Sequence, residues 1–390
     1  MKKILFLVLA TLALATLCAS GCTPGFLKRA HPEETKPVKK WKFVAKDISS
    51  PVIGTDGCIY LLGSGLLYAI NPDGTKKWEI VTGGGSGPAI GADGTVYCAG
   101  DGVYAINPDG TQKWVFGLTE STEDWSFSFY SPAIGPDGTI YVEQDSSFRN
   151  AIYSSSLYAI NPDGTKKWEI QNNDLSDHIT PTIGSDGTIF FIHGMRTFTP
   201  KLYAINPDGA QKWVYDGVIG RPVVSANGTV YTKVSGTGGT GICLLAINKN
   251  GTKKWKIGSI DTAFLDPIIG KDGTIYAGDG GNKFYAIRPD GKVKWIFKPT
   301  GSQLPDDNAV YAVWDSRTAI STEGTIYFNA AYYYLEAGYQ ANKLQAINPN
   351  GTKKWEMSLG FEMANSPVVA SDGSVYITDP SGGVLYAYKD

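Results

Sequence analysis

The chain has 390 residues, of which 42% are hydrophobic, 12% aromatic and 18% charged, as expected for a folded globular protein. Its 47 glycines and 21 prolines are too many for a helical protein and indicate a turn-rich β fold. The formal net charge of −2 argues against a nucleic-acid partner, which requires a basic face, and three histidines leave little room for a histidine-rich metal site.

Residues 1–21 have the pattern of a lipoprotein signal peptide. A short basic region at positions 2 and 3 is followed by an apolar run from Ile4 to Leu17. This run is too short to cross a hydrocarbon core of about 30 Å, so it predicts a signal peptide and not a transmembrane helix. The run ends in Ala-Ser-Gly-Cys, which resembles the bacterial lipobox. The resemblance implies lipidation of Cys22 on an exported protein, anchored to a bacterial membrane and facing the periplasm or the exterior. Ordinary cleavage near the same point is the alternative.

The next segment, residues 22–38, is predicted to be a flexible tether between the lipid and a folded body. It contains three prolines, mixed charge and almost no apolar pattern. Beyond the tether the cysteines are odd in number, which does not indicate a disulfide framework. Cys58, Cys98 and Cys243 lie in or beside apolar strand patterns, and each is therefore predicted to be a buried free thiol.

A repeated unit of four short apolar segments fills residues 39–390. One copy reads Ser-Pro-Ala-Ile-Gly at 131–135, Asp-Gly-Thr-Ile-Tyr at 137–141 and Leu-Tyr-Ala-Ile-Asn at 157–161, and closes with Pro-Asp-Gly-Thr-Lys-Lys-Trp. Glycine, proline, asparagine or aspartate bounds each segment, so each copy predicts four antiparallel strands, the pattern of a β-propeller blade. The eight copies open at Pro51, Pro88, Pro132, Pro181, Pro222, Pro267, Thr318 and Pro367.

The sequence therefore predicts an all-β, eight-bladed propeller over residues 39–390. The last copy ends with only three strands, whereas residues 39–43 form a fourth strand with no strands before it. We expect this N-terminal strand to complete the last blade, because closing the ring removes two open ends.

The segment Ala-Ile-Asn-Pro-Asp-Gly-Thr-Lys-Lys-Trp at 159–168 resembles the tryptophan-docking motif of the PQQ-like β-propeller repeat family. In that family the tryptophan packs between adjacent blades. Quinoprotein dehydrogenases of this kind carry a vicinal cysteine pair and a calcium-binding carboxylate cluster, and this sequence has neither. We therefore predict no cofactor, no metal, no catalytic residue and no enzymatic activity. The resemblance implies blade docking by Trp41, Trp78, Trp114, Trp168, Trp213, Trp255, Trp295 and Trp355.

The lengths of the connections distinguish the two faces of the predicted propeller. The connections from first to second strand and from third to fourth strand are constant in length. The other two kinds vary, and in a meander they share the opposite face, here named the variable face; the constant turns form the turn face. Copies three and seven, opposite each other in the ring, have the longest connections, without predicted secondary structure. Their aromatic residues are candidate binding residues: Trp125, Phe127, Phe129, Tyr130, Tyr311, Trp314 and Tyr333.

Two interpretations of these aromatic residues remain open. They could form a cleft for an extended polypeptide or a glycan, or they could build small cores that hold their own loops. A second candidate group stands before the opening residues of three consecutive copies: Arg221, Asp266 and Arg317. These three residues could form an anion-favouring patch or a salt bridge between neighbours.

The overall plan also resembles lipoproteins of the outer-membrane β-barrel assembly machinery. The expected function is a non-catalytic, membrane-anchored scaffold, monomeric, that binds an envelope protein or a client polypeptide in envelope or outer-membrane protein assembly. A surface glycan- or small-ligand-binding propeller is the alternative. A degenerate PQQ-dependent dehydrogenase is the third hypothesis.

Overall fold

A computed structural model describes residues 37–117, 125–148, 151–172, 180–194, 200–236, 241–258, 264–280, 283–298, 309–312, 318–334, 339–360 and 365–390. The regular secondary structure in these ranges consists of strands, and no helix in them is long and apolar enough to cross a membrane. The predicted signal peptide, Cys22 and most of the predicted tether lie outside the described residues.

The strands follow one another as a meander. In chain order they are β1 (Val38–Val44), β2 (Val52–Ile53), β3 (Ile59–Gly63), β4 (Leu66–Ile70), β5 (Lys76–Val81), β6 (Ser86–Ile90), β7 (Val96–Ala99), β8 (Val103–Ile106), β9 (Gln112–Phe116), β10 (Trp125–Phe129), β11 (Ala133–Ile134), β12 (Ile140–Phe148), β13 (Ala151–Ile160), β14 (Lys166–Asn172), β15 (Thr182–Ile183), β16 (Ile189–His193), β17 (Lys201–Ile205), β18 (Gln211–Asp216), β19 (Val223–Val224), β20 (Val230–Ser235), β21 (Ile242–Ile247), β22 (Lys253–Gly258), β23 (Ile268–Ile269), β24 (Ile275–Gly278), β25 (Phe284–Ile287), β26 (Val293–Phe297), β27 (Ala309–Ala312), β28 (Ala319–Ile320), β29 (Ile326–Tyr334), β30 (Tyr339–Ile347), β31 (Lys353–Ser358), β32 (Val368–Val369), β33 (Ser374–Asp379) and β34 (Val384–Lys389).

These strands form eight antiparallel sheets, and the predicted eight-bladed propeller is confirmed. Blades one to seven begin at β2, β6, β11, β15, β19, β23 and β28, and each contains four consecutive strands. Blade eight contains β32, β33, β34 and β1. Val38 of β1 lies opposite Lys389 and Val44 lies opposite Val384, so the predicted closure by the N-terminal strand is also confirmed.

The hydrophobic core lies between successive blades. The second strand of a blade is buried on both faces, as in β3, where all five residues are buried. Tyr60 and Leu67 of blade one, for example, share a cluster with Val96 and Ile106 of blade two. Short apolar runs bounded by turns are the sequence pattern of such doubly covered strands.

The three cysteines of the propeller belong to this core. Cys58, Cys98 and Cys243 are buried and free, as predicted. Burial raises the pKa of the Cys98 thiol to about 12, so this group is a small apolar side chain and not a nucleophile at neutral pH.

The tryptophan of each fourth strand reaches the following blade. Its indole N–H donates a hydrogen bond to a carbonyl oxygen in the turn between the third and fourth strands of that blade. Gly74 in one such turn has a φ of 90°, and a Cβ there would lie 2.6 Å from Trp41 Cδ2, so the turn requires glycine for two reasons. The seven bonds join Trp41 to Pro72 (2.9 Å), Trp78 to Pro108 (3.1 Å), Trp114 to Pro162 (2.9 Å), Trp168 to Pro207 (2.9 Å), Trp213 to Lys249 (2.9 Å), Trp255 to Pro289 (3.0 Å) and Trp295 to Pro349 (3.0 Å).

Blade eight has no such turn, because its fourth strand is β1. Trp355 of blade seven donates its indole N–H to Asp390 Oδ1 at 2.6 Å. Lys354 Nζ lies 2.6 Å from Asp390 Oδ2, and the Tyr327 hydroxyl donates to the same oxygen. One carboxylate therefore replaces the missing turn as the acceptor for the last tryptophan.

Candidate functional site

Blade three carries a three-stranded extension on the variable face. β11 pairs only with the start of β12, at Ile140 and Tyr141. β12 and β13 continue beyond this point, and β10 pairs with the continuation of β12, with Trp125 opposite Phe148 and Phe129 opposite Gln144. β10 thus occupies the inner position of the sheet where β11 has ended.

Blade seven carries an extension of the same kind. β29 and β30 form a long hairpin that pairs from Ile326 and Ile347 to Tyr334 and Tyr339. β27 pairs with the far end of β29, with Ala309 opposite Tyr334, whereas β28 pairs with its start. Blades three and seven are four positions apart in a ring of eight, so the two extensions stand on opposite sides of the channel mouth.

The expectation that these connections lack secondary structure was wrong for β10 and β27. In β10 the residues alternate strictly between apolar and polar, as Trp-Ser-Phe-Ser-Phe, which is the pattern of a half-buried strand. That pattern is the signal that could have revealed β10. The Ala-Val-Tyr-Ala segment of β27 has no comparable alternation.

The structure corrects the binding role expected for Phe129. Its side chain is only 3% exposed and packs against Phe116 and Tyr158, with ring centroids 6.4 and 6.0 Å away. Phe129 therefore belongs to the core between blades two and three and is not accessible to a ligand. Tyr130 donates its hydroxyl hydrogen to Asp145 Oδ2 at 3.1 Å, and Asp145 is buried. These two side chains help to hold the extension in place.

The other predicted aromatic residues that the structure describes lie on the strands of the two extensions. Phe127 lies in the middle of β10 and is half-buried. Trp125 begins the same strand, Tyr311 of β27 lies opposite Tyr332, and Tyr333 of β29 lies opposite Val310. Trp314 lies outside the described residues.

The expected charged patch contains a lysine that the sequence analysis missed. Lys233 of β20 lies 3.0 Å from Asp266 Oδ1, joining blades five and six. Arg221 donates to Thr180 Oγ1 at 3.4 Å, and Arg317 lies outside the described residues. The signal for Lys233 was a single charged residue inside the apolar segment Val-Tyr-Thr-Lys-Val of a second strand.

Gly220 allows this ion pair to approach the backbone. A Cβ at Gly220 would lie 2.8 Å from both Asp266 Oδ1 and Lys233 Cβ, closer than real Cβ contacts.

Among the described residues, no three histidine, cysteine, aspartate or glutamate side chains are grouped so that they could hold a metal ion. The described part of the variable face carries the Lys233–Asp266 ion pair and the additional inner strands β10 and β27.

Comparison with known structures supports the same architecture. The crystal structure of BamB from Moraxella catarrhalis is similar with a TM-score of 0.56 and 11% identity, over 91% of this chain and 100% of that one. The Dos1 propeller matches with a TM-score of 0.60 and 8% identity, over 91% and 95% of the two chains. The WD40 propeller domain of Doa1 matches with a TM-score of 0.50 and 9% identity, over 91% and 97%. At these identities the likeness concerns the fold alone.

The sequence matches none of the curated proteins, but it does match a family model. The family model described as "Outer membrane protein assembly factor BamB" matches residues 38–171 and again residues 153–389. These two matches together span the whole propeller, and the chain therefore belongs to the family of the outer membrane protein assembly factor BamB.

Proposed function

We propose that the protein is a non-catalytic scaffold of the bacterial envelope, anchored by lipid on Cys22. Its variable face binds a partner protein or a client polypeptide during envelope or outer-membrane protein assembly. The lipid holds the propeller at the membrane, and residues 22–38 give it reach.

The observation that carries this proposal is the pair of extensions on blades three and seven. A propeller needs only four strands in a blade, so β10 and β27 add nothing that closure of the ring requires. Both strands are inner strands on the same face, and they stand opposite each other. Binding residues are concentrated on segments that a rigid scaffold positions, and these extensions fit that description. Membership in the BamB family supports the same kind of partner.

Photo-crosslinking in native membranes tests the proposal. Ser126 and Ser128 are exposed on β10, so a photoreactive residue at either position leaves the buried Phe129 undisturbed. We expect both to give crosslinks to an envelope protein. Thr55 and Lys271 are exposed in first turns of blades one and six, on the turn face, and serve as matched controls.

The two sets of positions should give different products. Crosslinks from Ser126 and Ser128 that are absent from Thr55 and Lys271 support a partner on the variable face. Equal products from all four positions, or products from the turn face alone, would contradict the proposal.

The anchor gives a separate expected result. Cys22→Ser removes the only thiol that the lipobox resemblance assigns to lipid, so the variant should leave the membrane fraction for the soluble fraction. Stable anchoring requires more than one acyl chain, at about 0.8 kcal/mol for each buried CH₂ group. Fractionation after an alkaline carbonate wash measures this, and persistence of Cys22→Ser in the washed membranes would exclude the lipid anchor.

A further inference from the structure

An ion pair recurs on the turn face of the propeller. In six of the eight blades, the aspartate of the turn between first and second strands lies near a lysine of the fourth strand. The Nζ to carboxylate distances are 3.6 Å for Lys77–Asp56, 3.3 Å for Lys113–Asp93, 3.2 Å for Lys167–Asp137, 3.4 Å for Lys212–Asp186, 3.2 Å for Lys294–Asp272 and 4.0 Å for Lys40–Asp372.

Blades five and seven depart from this repeat in different ways. In blade seven the lysine is Lys354, which pairs with Asp390 at 2.6 Å. In blade five the lysine is Lys254, and the turn residue beside it is the uncharged Asn227. Lys254 has no carboxylate partner in the part of the chain that the structure describes. The equivalent lysines of the other seven blades each pair with a carboxylate, so blade five alone keeps an unneutralised ammonium group at this position among the described residues.

The geometry of the turn does not require asparagine instead of aspartate at position 227. Asn227 Oδ1 accepts hydrogen bonds from the Thr229 N–H at 3.1 Å and from the Ser225 hydroxyl at 2.7 Å. Aspartate makes the same bond to the backbone in the other blades, as Asp272 Oδ1 does with the Thr274 N–H at 3.0 Å. Either residue stabilises the turn, so asparagine changes the charge and leaves the backbone as it is.

A second departure in blade five adds a positive charge at the same place. Six other blades have proline as the carbonyl acceptor of the preceding tryptophan, whereas blade five has Lys249, whose carbonyl still accepts from Trp213 at 2.9 Å. Its side chain crosses to blade four, where Nζ lies 2.9 Å from Asp186 Oδ2. Lys212 Nζ lies 3.4 Å from the same oxygen, so the two ammonium groups stand side by side.

These substitutions surround one open groove between blades four and five. Lys212, Lys249, Lys254, Asn227 and Asn250 line it, and Asp186 is the acidic neighbour of two of the lysines. Burial opposes ionisation of Asp186, but hydrogen bonds from Lys249 and Thr188 and the charge of Lys212 outweigh it and lower the pKa. Three ammonium groups therefore face a single carboxylate at neutral pH, which leaves an excess of positive charge.

We propose that this groove binds a phosphate group. Ammonium groups and amide N–H donors bind phosphate oxygens, and an excess of positive charge suits the negative charge of a phosphate group. The groove lies on the turn face, opposite the extensions of blades three and seven, so its binding is independent of the proposed partner. The phosphate can come from a free phosphate compound or from a lipid head group, and both present anionic non-bridging oxygens.

Calorimetric titration of the full chain tests the groove with two probes. Inorganic pyrophosphate represents a free phosphate compound, and glycerophosphoglycerol is the soluble head group of phosphatidylglycerol. Asn227→Asp restores the residue of the repeat and gives Lys254 a carboxylate, so it should weaken binding by at least about tenfold without harming the fold. Lys249→Pro restores the residue of the other blades and should act in the same direction.

A matched charge change controls for the net charge of the protein. Asn350 holds the turn in blade seven that Asn250 holds in blade five, accepting the Thr352 N–H at 3.1 Å. Asn350→Asp adds the same charge outside the groove and should alter the affinity by less than about twofold. Saturable binding of either probe that Asn227→Asp and Lys249→Pro weaken, and that Asn350→Asp leaves within about twofold, supports the site and identifies the source of the phosphate. No saturable binding, or equal affinity in the wild type and Asn227→Asp, would overturn it.

Discussion

Deletion of residues 39–45 is expected to lower the free energy of unfolding by more than about 5 kcal/mol, a large part of the stability of an ordinary domain. The deletion removes β1, the outer strand of blade eight, which pairs with β34 along its length. It also removes Trp41, which packs on Tyr376, and Phe43, which packs on Tyr68 of blade one, each with ring centroids 5.6 Å apart. The interface that closes the ring then loses both its strand and its aromatic contacts.

Single substitutions separate this packing from the effect of a shorter chain. Phe43→Ala should cost about 2 kcal/mol, because a half-buried aromatic side chain between two blades is lost. Val44→Ala should cost less than about 0.5 kcal/mol, because Val44 is 64% exposed. Urea unfolding measures all three variants. Deletion of residues 23–36 should leave the midpoint unchanged, and a 39–45 deletion that unfolds at the wild-type midpoint would rule out closure by this strand.

Asp390→Ala is the second change with a large expected effect, about 3 kcal/mol. The Asp390 side chain is 8% exposed. It accepts hydrogen bonds from Trp355 and Tyr327 and forms an ion pair with Lys354. Alanine leaves the fully buried Trp355 with an indole N–H that has lost its acceptor. Such a donor costs more than the bond itself contributes, since water does not reach it.

Two milder variants and a pH series identify the carboxylate as the cause. Asp390→Asn keeps one oxygen for Trp355, and Lys354→Gln removes only the ion pair, so both should lose less stability than Asp390→Ala. Burial opposes ionisation of Asp390, but bonds from Lys354, Tyr327 and Trp355 outweigh it and lower the pKa. Because the pKa of Asp390 is lower in the folded than in the unfolded chain, its ionised form stabilises the fold. This contribution is fully present above the unfolded pKa near 4 and is lost as the pH falls below that value. The free energy of unfolding of Asp390→Asn should therefore fall less steeply with decreasing pH than that of the wild type. An unchanged pH dependence would show that other carboxylates cause the loss of stability in acid.

Much of the fold could be predicted from the sequence because its determinants are local. The first turn of each blade needs an Asp-Gly or its equivalent, and the docking turn needs a glycine beneath a tryptophan, as Gly74 lies beneath Trp41. These constraints keep two connections at constant length, so the copies could be counted. The unpaired strand at 39–43 then had one place in the ring, the fourth position of blade eight.

The details of the candidate site depend on contacts between distant residues, and most of them could not be predicted. The partner of Asp266 is Lys233, which belongs to another blade, and no local pattern indicates that pairing. The sequence alone suggests that Phe129 is an exposed aromatic residue. Its burial against Phe116 becomes apparent only because β10 pairs with β12. The Asn227 substitution was visible in the sequence, but its meaning required the ion pairs of the other blades.

Amide hydrogen exchange gives the most direct test of the claim that the variable face is the binding face. It should be measured on the full chain alone and in its non-covalent complex with the partner that crosslinking identifies. We expect slower exchange in the complex in β10 and β27 and in the far ends of the hairpins of blades three and seven. Slower exchange confined to the turn face, for instance in the first turn of blade one at Gly54–Gly57, with β10 and β27 unchanged, would contradict it.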